Sequence, residues 1–526
     1  MDKKTVLAVF LIFMVFYISR LFLPSPQTAQ KIADEIQEDA ATEQETPQEQ
    51  QPETQTTKPI ERDNLVAKSN VAINNQIILE NGNLKLVFSN KGGVLLQAII
   101  KGYSVSEKED LVNLIKDEAF NITIDGKSYN NTVFDFFMGE GSITFYTDGV
   151  RKVFTLGQGY AAGLTITLFG GAINNYSIDI GKGIKDSEVV SKDKARDYGF
   201  ITMVNNEIKK VYQSKLTKSD AGQKYEGSVS WVAAFSKYFA IGILPDKLID
   251  VFSTTGFSVD DAPSFSISAR DNRAEFSHSY IVYLGTMETE NMAPLGSSFE
   301  KIASRTFKAL DWLSKFFIAL LKWLYKLIPN YGVAIIIFAF FLKLILYPLT
   351  HKMYESTQKM QQIQPQIMGL QRKYKKDKTK LNVELRKLYK QHGVNPLGGC
   401  LPLLLQMPIF FALYPALKYS IGLRQASFGF WLKDLSVSDP YMILPIAMGA
   451  FMFLQQKLMT KKPSQGMDDK QKAAAQSQKI MLYAMPVLMI VIFRNLPAGL
   501  VLYWTVFNIL SILQQIIINR RFKLSK

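Results

Sequence analysis

A lysine, Lys343, sits inside the apolar run Val333–Leu349, and no acidic residue from Gly332 to Thr350 is present to neutralise it. An ammonium at bilayer depth costs about 2.5–3.5 kcal/mol on insertion scales. Such a residue therefore faces a wet cavity, faces a partner, or snorkels to the interface. Snorkelling is sterically open here, because His351 lies only about 12 Å further along a helix rising 1.5 Å per residue. Other chemistry-bearing types are sparse. His278, His351 and His392 are scattered without ligand-like spacing, and Cys400 is the single cysteine, so neither a metal site nor an intrachain disulfide is expected. The apolar runs hold no His, Asp or Glu constellation, so no catalytic residue, enzyme activity or cofactor is implied. What can act is one cation in a membrane segment.

The elements that position it are unevenly distributed over 526 residues of formal charge +15, 47% of them hydrophobic. Residues 1–23 read as an N-terminal transmembrane anchor: Val6–Leu23 is mostly apolar, Lys3 and Lys4 precede it, and the bulky Leu21-Phe22-Leu23-Pro24 offers no signal-peptidase site. Residues 24–65 are rich in Gln, Glu, Thr and Pro, which reads as a disordered linker. Residues 66–300 carry alternating runs such as Leu84–Phe88, Ser142–Tyr146, Leu164–Leu168 and Ser264–Ser268, separated by turns such as Asp125-Gly126. This spacing predicts an exported antiparallel β-sandwich that binds or scaffolds.

Residues 301–330 change to helical spacing. Lys308, Asp311, Lys315, Lys322 and Lys326 fall on one face, and Trp312, Phe316, Ala319, Leu320, Trp323 and Leu327 on the other. A basic amphipathic helix with tryptophans, directly before a span, is expected to lie in the membrane interface. Five apolar runs follow: Val333–Leu349, Cys400–Leu417, Tyr441–Leu454, Ile480–Phe493 and Ala498–Ile518. With the anchor they make six spans, a polytopic α-helical membrane protein with both termini cytoplasmic.

Charge tests that topology. The loop 350–397 holds eleven lysines and arginines, among them Arg372, Lys373, Lys375 and Lys376, against Glu355, Asp377 and Glu384. The next loop assigned inside carries six lysines, and the tail 520–526 adds Arg520, Arg521, Lys523 and Lys526. The loops assigned outside carry Arg424 and Lys433 in one and Arg494 in the other, as the positive-inside rule requires. Within 350–397, Met360, Ile363, Ile367 and Leu370, then Leu381, Leu385 and Leu388, recur at helical steps, with Asp377-Lys378 between them. A helical hairpin is predicted, its basic surface suited to anionic lipids or ribosomal RNA.

Motifs across residues 310–520 make the picture specific. Leu346-Tyr347-Pro348-Leu349-Thr350, Asn395-Pro396-Leu397-Gly398-Gly399-Cys400-Leu401-Pro402 continuing to Leu405-Gln406-Met407-Pro408-Ile409-Phe410, Leu423-Arg424-Gln425-Ala426, Asp439-Pro440-Tyr441 and Gly499–Tyr503 occur in order. In these the chain resembles the YidC/Oxa/Alb insertase family, in the Gram-negative form with a large periplasmic domain. The resemblance implies a five-helix core at 331–519 around a hydrophilic groove, a bacterial inner-membrane location, and nascent membrane proteins as partners. It also implies the Sec translocon, the ribosome and anionic lipids as partners, with no DNA. The family's groove charge is an arginine, and Lys343 occupies that position; lysine keeps the charge but loses the planar donor fork. Met407, Phe410, Tyr503 and Trp504 match positions where the family contacts substrate, and Gln406 is a candidate for lining the groove.

Two rival readings remain from the residues. A secondary transporter would use Lys343 to bind an anionic substrate, but no internal repeat or second midplane charge is present. A non-catalytic assembly scaffold would rely on the β domain and leave Lys343 without a role.

Overall fold

The computed structural model describes residues 77–524, apart from 106–109, 172, 189–192, 220, 247–248, 306–307, 376, 395–400, 430 and 460–481; residues 308, 401–404 and 521–524 are described by their backbone alone. The expected anchor at 1–23, the linker 24–65, Lys376, the motif at 395–400 and the Arg521 side chain lie outside what is described.

Among the described residues, nineteen strands between Ile77 and Thr286 build three antiparallel sheets of four, nine and six strands. The alternating sequence pattern sets which side chains turn inward. In strand Ala161–Phe169, Ala162, Leu164, Ile166 and Leu168 are buried and their neighbours half-buried. The shared core holds Phe200, Val232, Ile241, Phe265, Ile267 and Val282. Strand Gly199–Val204 is buried along its whole length. Its second face is covered by the segment after the last strand, where Met292, Phe299 and Ile302 pack on Trp231 and Tyr283. Trp231 Nε1 donates to Ser297 O at 2.9 Å, satisfying the one polar atom of that ring.

A buried lysine lies in this domain as well. Lys152 donates to the carbonyls of Gly92 (2.9 Å), Gly93 (3.1 Å) and Phe120 (2.9 Å). Those three bonds tie the tight turn at 92–93 to its neighbours, while burial pulls the lysine pKa down to about 7.

Among the described residues seven longer helices follow: α1 (Asp311–Leu327), α2 (Tyr331–Lys373), α3 (Lys378–His392), α4 (Leu401–Lys418), α5 (Ile443–Met459), α6 (Leu482–Phe493) and α7 (Ala498–Leu524). By length and composition, Tyr331–Lys373 and Ala498–Arg520 are long and apolar enough to cross a membrane, and α5 and α6 are shorter apolar helices. Large apolar side chains stand outward along them, among them Ile345 on α2, Ile446 on α5, Val487 on α6 and Leu513 on α7. Water would not tolerate so continuous an apolar surface, and hydrocarbon does.

The sequence pattern ended the first core span at Leu349 and began a separate hairpin. Instead α2 runs unbroken for 43 residues, about 65 Å at 1.5 Å per residue. Pro348 and Pro365 lie inside it. Thr350 Oγ1 bonds back to Leu346 O (2.9 Å) and Tyr347 O (3.2 Å), the usual local bond of a threonine within a helix. At the other end Asn330 caps the helix, accepting from Val333 N at 3.1 Å. The chain then turns at Asp377, whose side chain accepts from Lys380 N at 2.9 Å to start α3. α3 folds back on α2 through Ile363, Leu388 and Val394.

Helix α1 has a third face that its two-sided reading overlooked. Ser314, Phe317, Leu321 and Leu324 are buried, and Phe317 meets Phe338 of α2 edge-on at 5.2 Å. Trp312 (68% exposed), Phe316, Trp323 and Leu327 point away from the protein. Lys322 is held by Glu288 (2.9 Å) and Glu290 (3.1 Å). The helix is therefore docked on the helical core by one stripe and offers its aromatic face outward.

Candidate functional site

Lys343 lies on the side of α2 that meets α7, and only 5% of it is exposed. Its Nζ donates to Ser511 Oγ at 2.8 Å. The Phe507 ring centroid lies 4.6 Å from Nζ and the Tyr354 centroid 5.7 Å, so two aromatic faces share the charge. Among the described residues, no acidic side chain pairs with it. A mostly apolar cleft of about 160 Å³ opens beside Lys343, lined by Phe340, Leu344 and Tyr347 of α2 and by Leu510, Leu513, Gln514 and Ile517 of α7.

Toward the hairpin the seam between these helices becomes polar without becoming charged. Gln514 bonds to Thr350 Oγ1 (3.1 Å), Gln358 to Asn519 (2.7 Å), and Gln455 of α5 donates to Tyr354 Oη (3.2 Å). Asn508 Nδ2 and Gln515 Oε1 are buried with no hydrogen-bond partner among the described residues. Orphaned amide atoms in a membrane helix bundle call for water or a polar guest.

The other expected residues gather one layer further toward the β domain. Gln406 Nε2 donates to Tyr503 Oη at 3.2 Å. Tyr503 stacks obliquely on Phe507, with centroids 5.9 Å apart, which links Gln406 to the Lys343 ring cage. Phe410 packs edge-on against Trp504 at 5.7 Å, and Trp504 against Phe493 at 5.2 Å. Met407, Phe410 and Trp504 keep part of their surface exposed. Tyr503 does not. It is fully buried in this conformation, where its hydroxyl accepts from Gln406. Arg372, Lys373, Lys375 and Arg520 are exposed on the hairpin and the end of α7, away from this cluster.

A second polar cluster went unread in the sequence. Arg424, read there as an outside charge within the motif Leu423-Arg424-Gln425-Ala426, is 7% exposed. It pairs with Glu188 at 2.7 Å and donates to Ser104 O (2.7 Å) and Ser187 O (2.8 Å). Lys418, at the end of α4, reaches Asp197 (3.0 Å) and Asp193 (3.1 Å), and Tyr419 donates to Asp197 at 2.9 Å. These contacts join the β domain to the helices and fix the end of α4, the helix that carries Gln406, Met407 and Phe410. Burial pushes the Glu188 carboxyl above its ordinary range, against the pull of Arg424. The basic spacing of 418–424 was visible, but its acidic partners lie more than two hundred residues away.

Comparison with known proteins bears on the whole chain. The family described as "60Kd inner membrane protein" matches residues 323–526. The membrane protein insertase YidC of Syntrophus aciditrophicus (strain SB) is 32% identical over 572 residues, covering 99% of this chain and 100% of its own. That of Geobacter sp. (strain M21) is 35% identical over 467 residues, covering 82% of this chain and 83% of its own. The chain belongs to the YidC family of membrane protein insertases. The near-complete overlap with the Syntrophus YidC takes in the β domain as well as the helices, so the family assignment is not confined to the core motifs.

Proposed function

We propose that this chain inserts nascent membrane proteins into the bacterial inner membrane, and helps them fold, through a hydrophilic groove between α2 and α7. The observation that carries the reading is Lys343: a buried cation beside an open cleft, held by a neutral hydroxyl and two rings rather than by a carboxylate. Keeping such a charge in a membrane helix is costly unless an acidic group visits it. The acidic residues in a substrate's translocated tail supply that group. The polar seam of Thr350, Gln514 and Asn519 shortens the apolar distance the tail must cross, and the half-exposed Met407, Phe410 and Trp504 offer the entering hydrophobic segment a lipid-like surface.

The core then has five spans, and the anchor at 1–23 makes six, with both termini cytoplasmic. The β domain then lies on the outer, periplasmic side, opposite the basic hairpin, and its contacts with Lys418 and Arg424 support this reading. Trp312, Phe316 and Trp323 rest in the outer interface. The exposed Arg372, Lys373, Lys375 and Arg520 suit anionic lipids and the ribosome, and the protein works alone or beside the Sec translocon.

Insertion of a small single-spanning protein into vesicles containing the purified chain tests this. Lys343→Ala is expected to impair insertion when the translocated tail is acidic. Equal yields from Lys343→Ala and the native protein, across several such substrates, refute the groove charge.

A further inference from the structure

A lysine stem has four rotatable carbons, and the ring its own helix offers the ammonium, Tyr354, has its centroid 5.7 Å away. In α2 the decision is made from across the seam. Ser511 is almost fully buried, and its hydroxyl proton is already committed to Phe507 O, 2.8 Å away and one turn back. With that proton fixed, the oxygen lone pairs turn toward α2, where they accept from Lys343 Nζ. Phe507, the residue that takes the serine proton, also lays its ring beside the ammonium. One turn of α7 thus supplies a directed acceptor and an aromatic wall.

The chemistry of the acceptor matters. A carboxylate at 511 would hold the ammonium more tightly but would cancel its charge. An alkyl group would leave the stem free to slide toward the polar end of the helix. A hydroxyl fixes the position and leaves the charge uncompensated.

We propose that Ser511 is a positioning residue for insertion: it pins the Lys343 ammonium at the wall of the α2–α7 cleft, where the acidic tail of an entering substrate meets it. The proposal rests on the reading of Lys343 as the groove charge. It is distinct from that reading because it concerns how the charge is held rather than what it attracts.

The test uses the full chain in vesicles and two single-spanning substrates that differ only in the translocated tail, one carrying acidic residues and one carrying serine and glycine in their place. Ser511→Ala is expected to slow insertion of the acidic tail on the order of tenfold, the scale of a lost hydrogen bond to a charged group, and to leave the neutral tail at the native rate. Ser511→Thr keeps a hydroxyl with the same back-bonding habit and restores the acidic tail. Ser511→Asp keeps an anchor but neutralises the charge, and matches Lys343→Ala. Equal slowing of both tails by Ser511→Ala would reduce the residue to packing and overturn the proposal, as would no slowing of either while Lys343→Ala still separates them. If Lys343→Ala does not separate the tails, the groove charge itself falls, and the positioning role with it.

Discussion

Arg424 makes the most quantitative case that the β domain is fastened to the helices. The residue has 7% of its surface exposed and makes three bonds of 2.7–2.8 Å, to Glu188 and to the carbonyls of Ser104 and Ser187. Arg424→Ala removes one partner of a buried ion pair, and leaves a mostly buried carboxylate and two backbone acceptors behind. Breaking such a pair costs about 3–5 kcal/mol. The cost falls locally, on opening of the joint, so amide hydrogen exchange on the detergent-solubilised protein is the appropriate measurement. Useful reporters are Arg424 N and Ala426 N on the helical side and Lys185 N on the β side, each hydrogen-bonded within its own part beside the joint. At the lower bound of about 3 kcal/mol, their exchange quickens roughly a hundredfold. Adding Glu188→Gln removes the stranded charge and slows exchange again, giving a coupling between the two sites. Unchanged exchange in Arg424→Ala, or no recovery in the double variant, refutes the idea that this pair holds the two parts together.

Three further outcomes are expected. A Cβ added to Gly332 would sit 2.0 Å from the Phe428 ring, whereas one on Gly369 meets nothing within 4 Å; Gly332→Ala should lose about 1–3 kcal/mol by overpacking and Gly369→Ala gain roughly 0.4–1 kcal/mol, read as opposite shifts in thermal midpoint. Because burial depresses Lys152 to about 7, the folded state binds fewer protons than the unfolded chain between there and the ordinary lysine value near 10.4. Stability should therefore rise with pH across that window, and denaturation midpoints at both ends should show a slope that flattens in Lys152→Met. The outward face of α1 should meet lipid: brominated acyl chains should quench tryptophan fluorescence, and Trp312→Phe with Trp323→Phe should remove most of that quenching, while quenching unaltered by the double change would turn this face away from the bilayer.

Local periodicity carried much of the architecture. Period-two alternation in runs such as Leu164–Leu168 marks strands whose inward residues need only a sheet to face. The helical steps of Met360–Leu370 and Leu381–Leu388, with Asp377 between them, spell out the hairpin. Where two elements compete for one residue, sequence spacing was a poorer guide. The stripe Ser314, Phe317, Leu321 and Leu324 is no more apolar than the tryptophan face of α1, and only the presence of α2 and α4 decides which face is buried. The predicted span ended at Leu349, yet α2 continues through Pro348 to Lys373.

The sequence by itself determined that a cation lies in an apolar run with no acid inside that run, because charge, hydropathy and helical rise are properties of consecutive residues. It also determined, through its ordered motifs, the family to which the chain belongs. The tertiary structure decided what that cation touches. Ser511 and Phe507 stand more than 160 positions from Lys343, and Glu188 more than 230 from Arg424. No spacing rule reaches so far, since hydrogen bonds and ring contacts extend only a few ångströms and depend on which helices and strands the fold brings side by side.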